Sequence, residues 1–229
     1  MRVIAPLPFD AVLRDLAREH PYVPGDEANS NDEAAEHLHS AQLALGHWHR
    51  VLLDRAEVLA IVLPWHLGED GAVELIPPTG TTVADAAARL RELGDSYART
   101  NPLCARKLDR QIAAPPRPLY LSTRPVPGVD YERMAVREGL IHLDGLHRML
   151  AWERSGRLAD GAPVEAFVAS DAPWPLAGNP PSRRSAAPDV RHGAGHDGDR
   201  LDVHPDRQTR HGAHHVDHMP DVHGGLHPQ

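Results

Sequence analysis

The chain has a single cysteine, Cys104, and a single lysine, Lys107, in 229 residues. One cysteine excludes an internal disulfide framework and a cysteine-based structural zinc site. One lysine argues against lysine-based catalysis. Long apolar runs are also missing. The longest, residues 58–65 with Pro64 inside it, has eight residues, against the roughly 20 that a membrane-spanning helix needs. Positive charge is in deficit: 24 Lys and Arg stand against 32 Asp and Glu, for a formal charge of −8. That balance argues against a chain that coats nucleic acid or an anionic membrane. Residues 1–9 carry Arg2, Pro6 and Pro8 but no apolar stretch of signal-peptide length, so no secretory signal is expected. The expectation is a soluble cytoplasmic protein whose partners include neither nucleic acid nor membrane.

Aromatic residues end at Trp174. Residues 176–229 also lack Ile, Lys, Glu and Cys, and hold nine of the 17 histidines among Gly, Pro, Asp and Arg. Such a segment has too little apolar surface to offset the entropy of ordering its backbone, so a disordered tail is expected. Its imidazoles suit loose binding of Zn, Ni or Cu. A shifted reading frame in GC-rich DNA yields the same composition, so the tail carries no functional argument.

In residues 1–175, apolar positions 9, 12, 13, 16 and 17 give a helical period over Phe9–Glu19. Ser30 with Glu33 is a capping-box pattern for a helix presenting Ala34, Leu38, Ala41 and Leu45 on one face, closed by Gly46. His47–Leu53, residues 58–64 and residues 72–76 read as strands. Thr82 caps a helix that stops at Gly94. Residues 95–112 read as helix, bent at Pro102. Residues 119–123 form a short strand, and 136–143 lead into another. Leu146–Arg154 is a helix and 164–168 a last strand. The order lacks a regular βαβ alternation, so an α+β fold is expected. The division expected is an N-terminal α+β region over 1–112, a core over 113–175 and the tail over 176–229.

Residues 138–169 carry the clearest pattern: strand, Asp144-Gly145 turn, helix, strand. Glycine tolerates backbone angles closed to other residues. Leu146, His147 and Arg148 then occupy the first helical turn, whose free N–H groups carry the positive end of the helix dipole. Such a place attracts phosphate, and a forked Arg148 contact would strengthen it.

Asp144-Gly145-Leu146-His147-Arg148, followed by Met-Leu-Ala-Trp, resembles the D-G-x-H-R signature of the ParB/sulfiredoxin-like superfamily. The body as a whole also resembles an uncharacterised actinobacterial protein family. The superfamily resemblance implies a mixed sheet with flanking helices and a nucleotide held by its phosphates. Leu146 stands where sulfiredoxins carry their catalytic cysteine, which argues against that chemistry. No helix-turn-helix follows, which argues against chromosome partitioning. The free serine kinase of the superfamily keeps the motif, and implies ATP or ADP (CTP as an alternative) with Mg. In that reading Gly145, Leu146, His147, Arg148 and Arg124 bind the nucleotide, Asp144 holds the metal, and Glu138, His147 and Asp144 are catalytic.

Each role has a plainer counterpart. Arg148 can pair with Asp144, and His147 can cap or pack. Asp144 can simply form its turn, and Glu138 can be an exposed strand residue. Ser122, Thr123 and Arg124 are either a second wall of a phosphate pocket or a solvated strand end. His47 and His49 alternate on a strand with His66 a candidate neighbour, a weak metal pattern. Cys104 and Lys107, one helical turn apart, could make a low-pKa thiolate, but a lone helical cysteine is more often buried filler. The two functions expected are a small-molecule phosphotransferase, its acceptor unspecified, and a non-catalytic nucleotide-sensing module acting through a protein partner. A carboxylate from Glu138, Glu132 or Asp130 facing Arg148 would favour the enzyme.

Overall fold

Alternating exposure over Arg2–Leu7 (β1) makes an edge strand ahead of the helix Phe9–Glu19 (α1), a strand that periodicity alone did not mark. The computed structural model describes residues 1–19, 31–71 and 73–176. The expected Ser30 cap and nearly all of the tail lie outside the described residues. After Asn31–Ala44 (α2) comes His47–Leu53 (β2).

The next apolar stretch departs from expectation. Residues 58–64 do not form one strand. Asp54 accepts from the Glu57 amide at 2.9 Å, and Glu57 accepts from the Asp54 amide at 2.9 Å. This reciprocal cap starts the short helix Arg55–Leu59 (α3). Only Val62–Leu63 (β3) remains extended. Of the expected strand at 72–76, the described residues retain a single bridge between Ile76 and His66.

Thr81–Thr82 (β4) runs into Val83–Leu93 (α4), where Thr82 accepts from the Asp85 amide and Gly94 ends the helix, both as expected. The bend at Pro102 separates Asp95–Thr100 (α5) from Pro102–Ala113 (α6). Leu119–Ser122 (β5), Ile141–Asp144 (β6), Leu146–Arg154 (α7) and Val164–Ser170 (β7) complete the order.

The seven strands form one mixed sheet in the order β1-β2-β7-β5-β6-β3-β4. The β7–β5 and β6–β3 pairs are parallel and the others antiparallel. The N-terminal strands therefore interleave with the later ones, as β2 beside β7 and β3 beside β6, rather than packing on a separate core. Strand alternation sends side chains to two buried clusters. Leu119, Leu121, Ala166 and Val168 meet residues of α4 to α7. Tyr120, Ile141, Leu143 and Phe167 meet α1 and α2. No helix among the described residues is long and apolar enough to cross a membrane.

Candidate functional site

The turn between β6 and α7 requires its glycine. Gly145 has φ 114°, and a Cβ there would lie 2.7 Å from Leu119 Cδ2. The helix that follows spends its first donor internally: the Leu146 amide donates to His142 Nε2 at 2.9 Å. Nε2 must then be the unprotonated nitrogen, and the Nδ1–H of this imidazole is buried without a partner among the described residues. Burial lowers the His142 pKa to about 3. The next two amides, of His147 and Arg148, have no acceptor among the described residues.

Arg148 takes the plainer of its two expected roles. Its side chain is 2% exposed. The guanidinium donates to Pro118 O at 2.8 Å and to the Asp144 carboxylate. Both groups are thus engaged under the turn. A phosphate at Arg148 or a magnesium ion at Asp144 would have to displace that pair, so these two side chains do not fit the roles the resemblance implies. Leu146 is buried.

His147 does come forward. Its Nε2 lies 3.2 Å from Cys104 Sγ in the first turn of α6. The Nε2 of His66, just beyond β3, lies 3.7 Å from the same sulfur. The two rings meet edge to face with centroids 5.6 Å apart. All three donor atoms fall within 4.8 Å of one another. Tyr97 donates its hydroxyl to Cys104 Sγ at 3.0 Å.

The sequence explains how α5 and α6 hold the thiol. Pro102 opens α6, and its missing N–H costs nothing at a helix start. Glu69 accepts from the Leu103 and Cys104 amides at 3.0 and 2.6 Å. Asn101 in turn accepts from the Glu69 amide at 2.9 Å. This exchange ties the turn carrying Glu69, three residues after His66, to the end of α6 that carries Cys104.

Burial sets the charge state of the cluster. It pushes the Cys104 thiol up, outweighing the Tyr97 hydrogen bond and Lys107, which pull it down. Of the two readings of Cys104, the buried one holds over the low-pKa thiolate: desolvation wins over one ammonium a turn away. Burial, then the neighbouring His66 and Lys107, holds His147 well below its ordinary value. His66 is lowered by burial first and Lys107 second, with Asp130 and Glu69 opposing. At neutral pH the cluster is a thiol and two uncharged imidazoles.

The remaining candidates lie elsewhere. Glu138 is exposed in the bend before β6, and Glu132 is exposed too. Arg124 reaches the Ala44 carbonyl at 3.1 Å, and Ser122 bonds the Arg124 carbonyl at 2.8 Å. His47 is exposed, whereas His49 is buried, accepting from the Trp174 amide at 2.9 Å and stacking on that ring. Neither joins His66. Asp130 approaches His37, not Arg148. The residues that do converge, His66, Cys104 and His147, sit in three separate segments, and no local spacing links them.

Compared with curated proteins and with solved structures, the chain finds no match. The model of a family of unknown function, DUF6309, matches residues 1–189, and the chain belongs to that family.

Proposed function

We propose that this protein binds a divalent transition metal of the zinc class through His66, Cys104 and His147, with a fourth position left for water or substrate. One observation carries the reading: one sulfur and two imidazole nitrogens from three segments converge, with S–N separations of 3.2 and 3.7 Å. Zinc–sulfur and zinc–nitrogen bonds of ordinary length at a tetrahedral angle place sulfur and nitrogen about 3.5 Å apart. Both imidazoles are already uncharged, the form that binds metal. The Tyr97 hydroxyl would steady the thiolate as an outer hydrogen bond. Three protein ligands with one open position is the arrangement of catalytic zinc, which supplies a polarised water or carbonyl. The reaction class favoured is therefore metal-assisted hydrolysis.

Cobalt titration of the full chain tests this. Cys104 is the only thiol, so a thiolate-to-cobalt charge-transfer band reports this site alone, whatever the histidines of residues 176–229 bind. The expected result is a saturable band, lost in Cys104→Ser and weakened at least tenfold in affinity in His66→Ala and His147→Ala. A full chain that is folded and shows no band overturns the reading.

The nucleotide-dependent phosphotransferase or sensor reading, with ATP, ADP or CTP and Mg, remains second. The amides of His147 and Arg148, without an acceptor among the described residues, favour it, as does the β6–Gly145–α7 unit, which we propose is related to the ParB/sulfiredoxin-like fold. Titration with each nucleotide in magnesium tests it, and no binding at millimolar concentration removes it.

A further inference from the structure

We infer that Glu33, His37 and Asp130 form a second divalent-cation site, selective for a harder ion of the manganese or magnesium type. The carboxylates of Glu33 and Asp130 and a ring nitrogen of His37 lie within 4.8 Å of one another. Glu33 and His37 are four apart on α2 and so share a face of that helix. Asp130 comes from the turn after Gly128, about a hundred residues further along.

The geometry around His37 points to a cation. Its Nδ1 lies 3.2 Å from the carbonyl of Leu143. A carbonyl only accepts, so Nδ1 carries the proton. In the neutral ring Nε2 is then a bare lone pair, and it faces Asp130 Oδ2 at 3.8 Å. That separation is too long for a hydrogen bond but suits two ligands of one ion. With the ring uncharged, three acceptors converge with no donor between them among the described residues, a repulsive arrangement until a positive charge enters. A ligand histidine whose other nitrogen is fixed on a backbone carbonyl is also the usual outer support of a metal site. The ring is further braced edge to face on Tyr131, with centroids 5.2 Å apart.

Two carboxylates and one imidazole, without sulfur, favour Mn, Mg or Fe(II) over the softer ions that a thiolate selects. An ion here would clamp α2 to the turn at Asp130. It would also neutralise a carboxylate whose charge acts on His66, and so link the two sites electrostatically. The inference does not rest on the His66–Cys104–His147 reading.

Manganese is the probe, followed by paramagnetic resonance on the full chain, since it favours oxygen and nitrogen donors. Wild type and Cys104→Ser should each bind one manganese ion more than Glu33→Gln or Asp130→Asn, with histidines beyond residue 176 contributing equally to all four. Equal stoichiometry and affinity in wild type and the carboxylate variants overturns the site. So does loss of manganese in Cys104→Ser with retention in Glu33→Gln, which would place the ion at the sulfur. The alternative relief is a proton: His37 titrating by NMR well above the ordinary histidine value, with that titration unmoved by manganese, also overturns it.

Discussion

Arg148 and Asp144 face each other under the turn that joins β6 to α7, with the arginine 2% exposed and also donating to the Pro118 carbonyl. This pair turns the most conspicuous charged residue of the D-G-x-H-R stretch inward. Replacing Arg148 by Met leaves the Asp144 carboxylate half-paired in a poorly hydrated place and frees the Pro118 carbonyl. Breaking one side of a buried ion pair costs about 3–5 kcal/mol. Chemical denaturation should show a loss near the lower end of that range, because Asp144 is 16% exposed. The combined Arg148→Met and Asp144→Asn variant should recover part of the loss. An unchanged midpoint for Arg148→Met would mean that the guanidinium is free to serve a ligand.

The turn itself makes the next test. Gly145→Ala places a methyl 2.7 Å from Leu119 Cδ2 at φ 114°. A left-handed backbone costs a non-glycine residue about 1–2 kcal/mol before any clash. Leu119 is fully buried, so its side chain has little room to withdraw. The expected destabilisation exceeds 2 kcal/mol, read as a lower denaturation midpoint. Leu119→Ala is destabilising by itself through the cavity it leaves, so the two causes separate by comparison with it. Adding Gly145→Ala to Leu119→Ala should cost the backbone part and the milder approach to the Arg148 guanidinium at 3.2 Å, and less than Gly145→Ala costs the wild type.

Periodicity and end signals revealed most of the regular elements. The Thr82 cap, the Gly94 stop, the Pro102 bend and the Asp144-Gly145 turn are local chemistry, and each sits where the sequence puts it. The missed elements have reasons. Val58 and Leu59 open an apolar run that passes for strand, and the reciprocal Asp54–Glu57 cap takes them into a helix instead. Residues 2–7 gain strand form by pairing with β2, a non-local contact. The candidate metal centre was illegible for the same reason. Cys104 was read beside Lys107, His147 beside Arg148 and His66 beside His47 and His49, and only the fold, through no local spacing, brings the three together.

Acid should unfold this protein through its buried histidines. His142 titrates near 3 in the fold against about 6.5 in the unfolded chain. Its pKa is depressed, so between those values the unfolded state binds the proton and the native state does not. Stability is therefore intact above pH 6.5 and falls as pH drops toward 3. One such group contributes about 1.4 kcal/mol per pH unit in that window. His147 and His66, also lowered by burial, add slope in the same direction. His142→Gln, which keeps an acceptor for the Leu146 amide, should remove close to one proton from the slope of stability against pH between 6 and 4. Equal slopes in the two proteins would mean that His142 is charged or solvated in the fold.

Metal binding at Cys104 should release one proton, and the charge states of the three ligands say which. His66 and His147 are held uncharged at neutral pH by burial. They have no proton to give up when their Nε2 atoms coordinate. Cys104 is the opposite case: burial raises its pKa, so it enters as a thiol and must leave as a thiolate. Zinc affinity should then rise about tenfold per pH unit below the thiol pKa, with no second proton appearing as pH falls from 8 to 7. Calorimetry in buffers of different ionisation enthalpy measures the count directly. The histidines beyond residue 176 bind zinc as well, so the informative quantity is the difference between wild type and Cys104→Ser for the tightest site. A difference of one proton supports a thiolate ligand beside two neutral imidazoles. A difference of zero would mean that the sulfur stays protonated and that the convergence of His66, Cys104 and His147 is a packed core cluster.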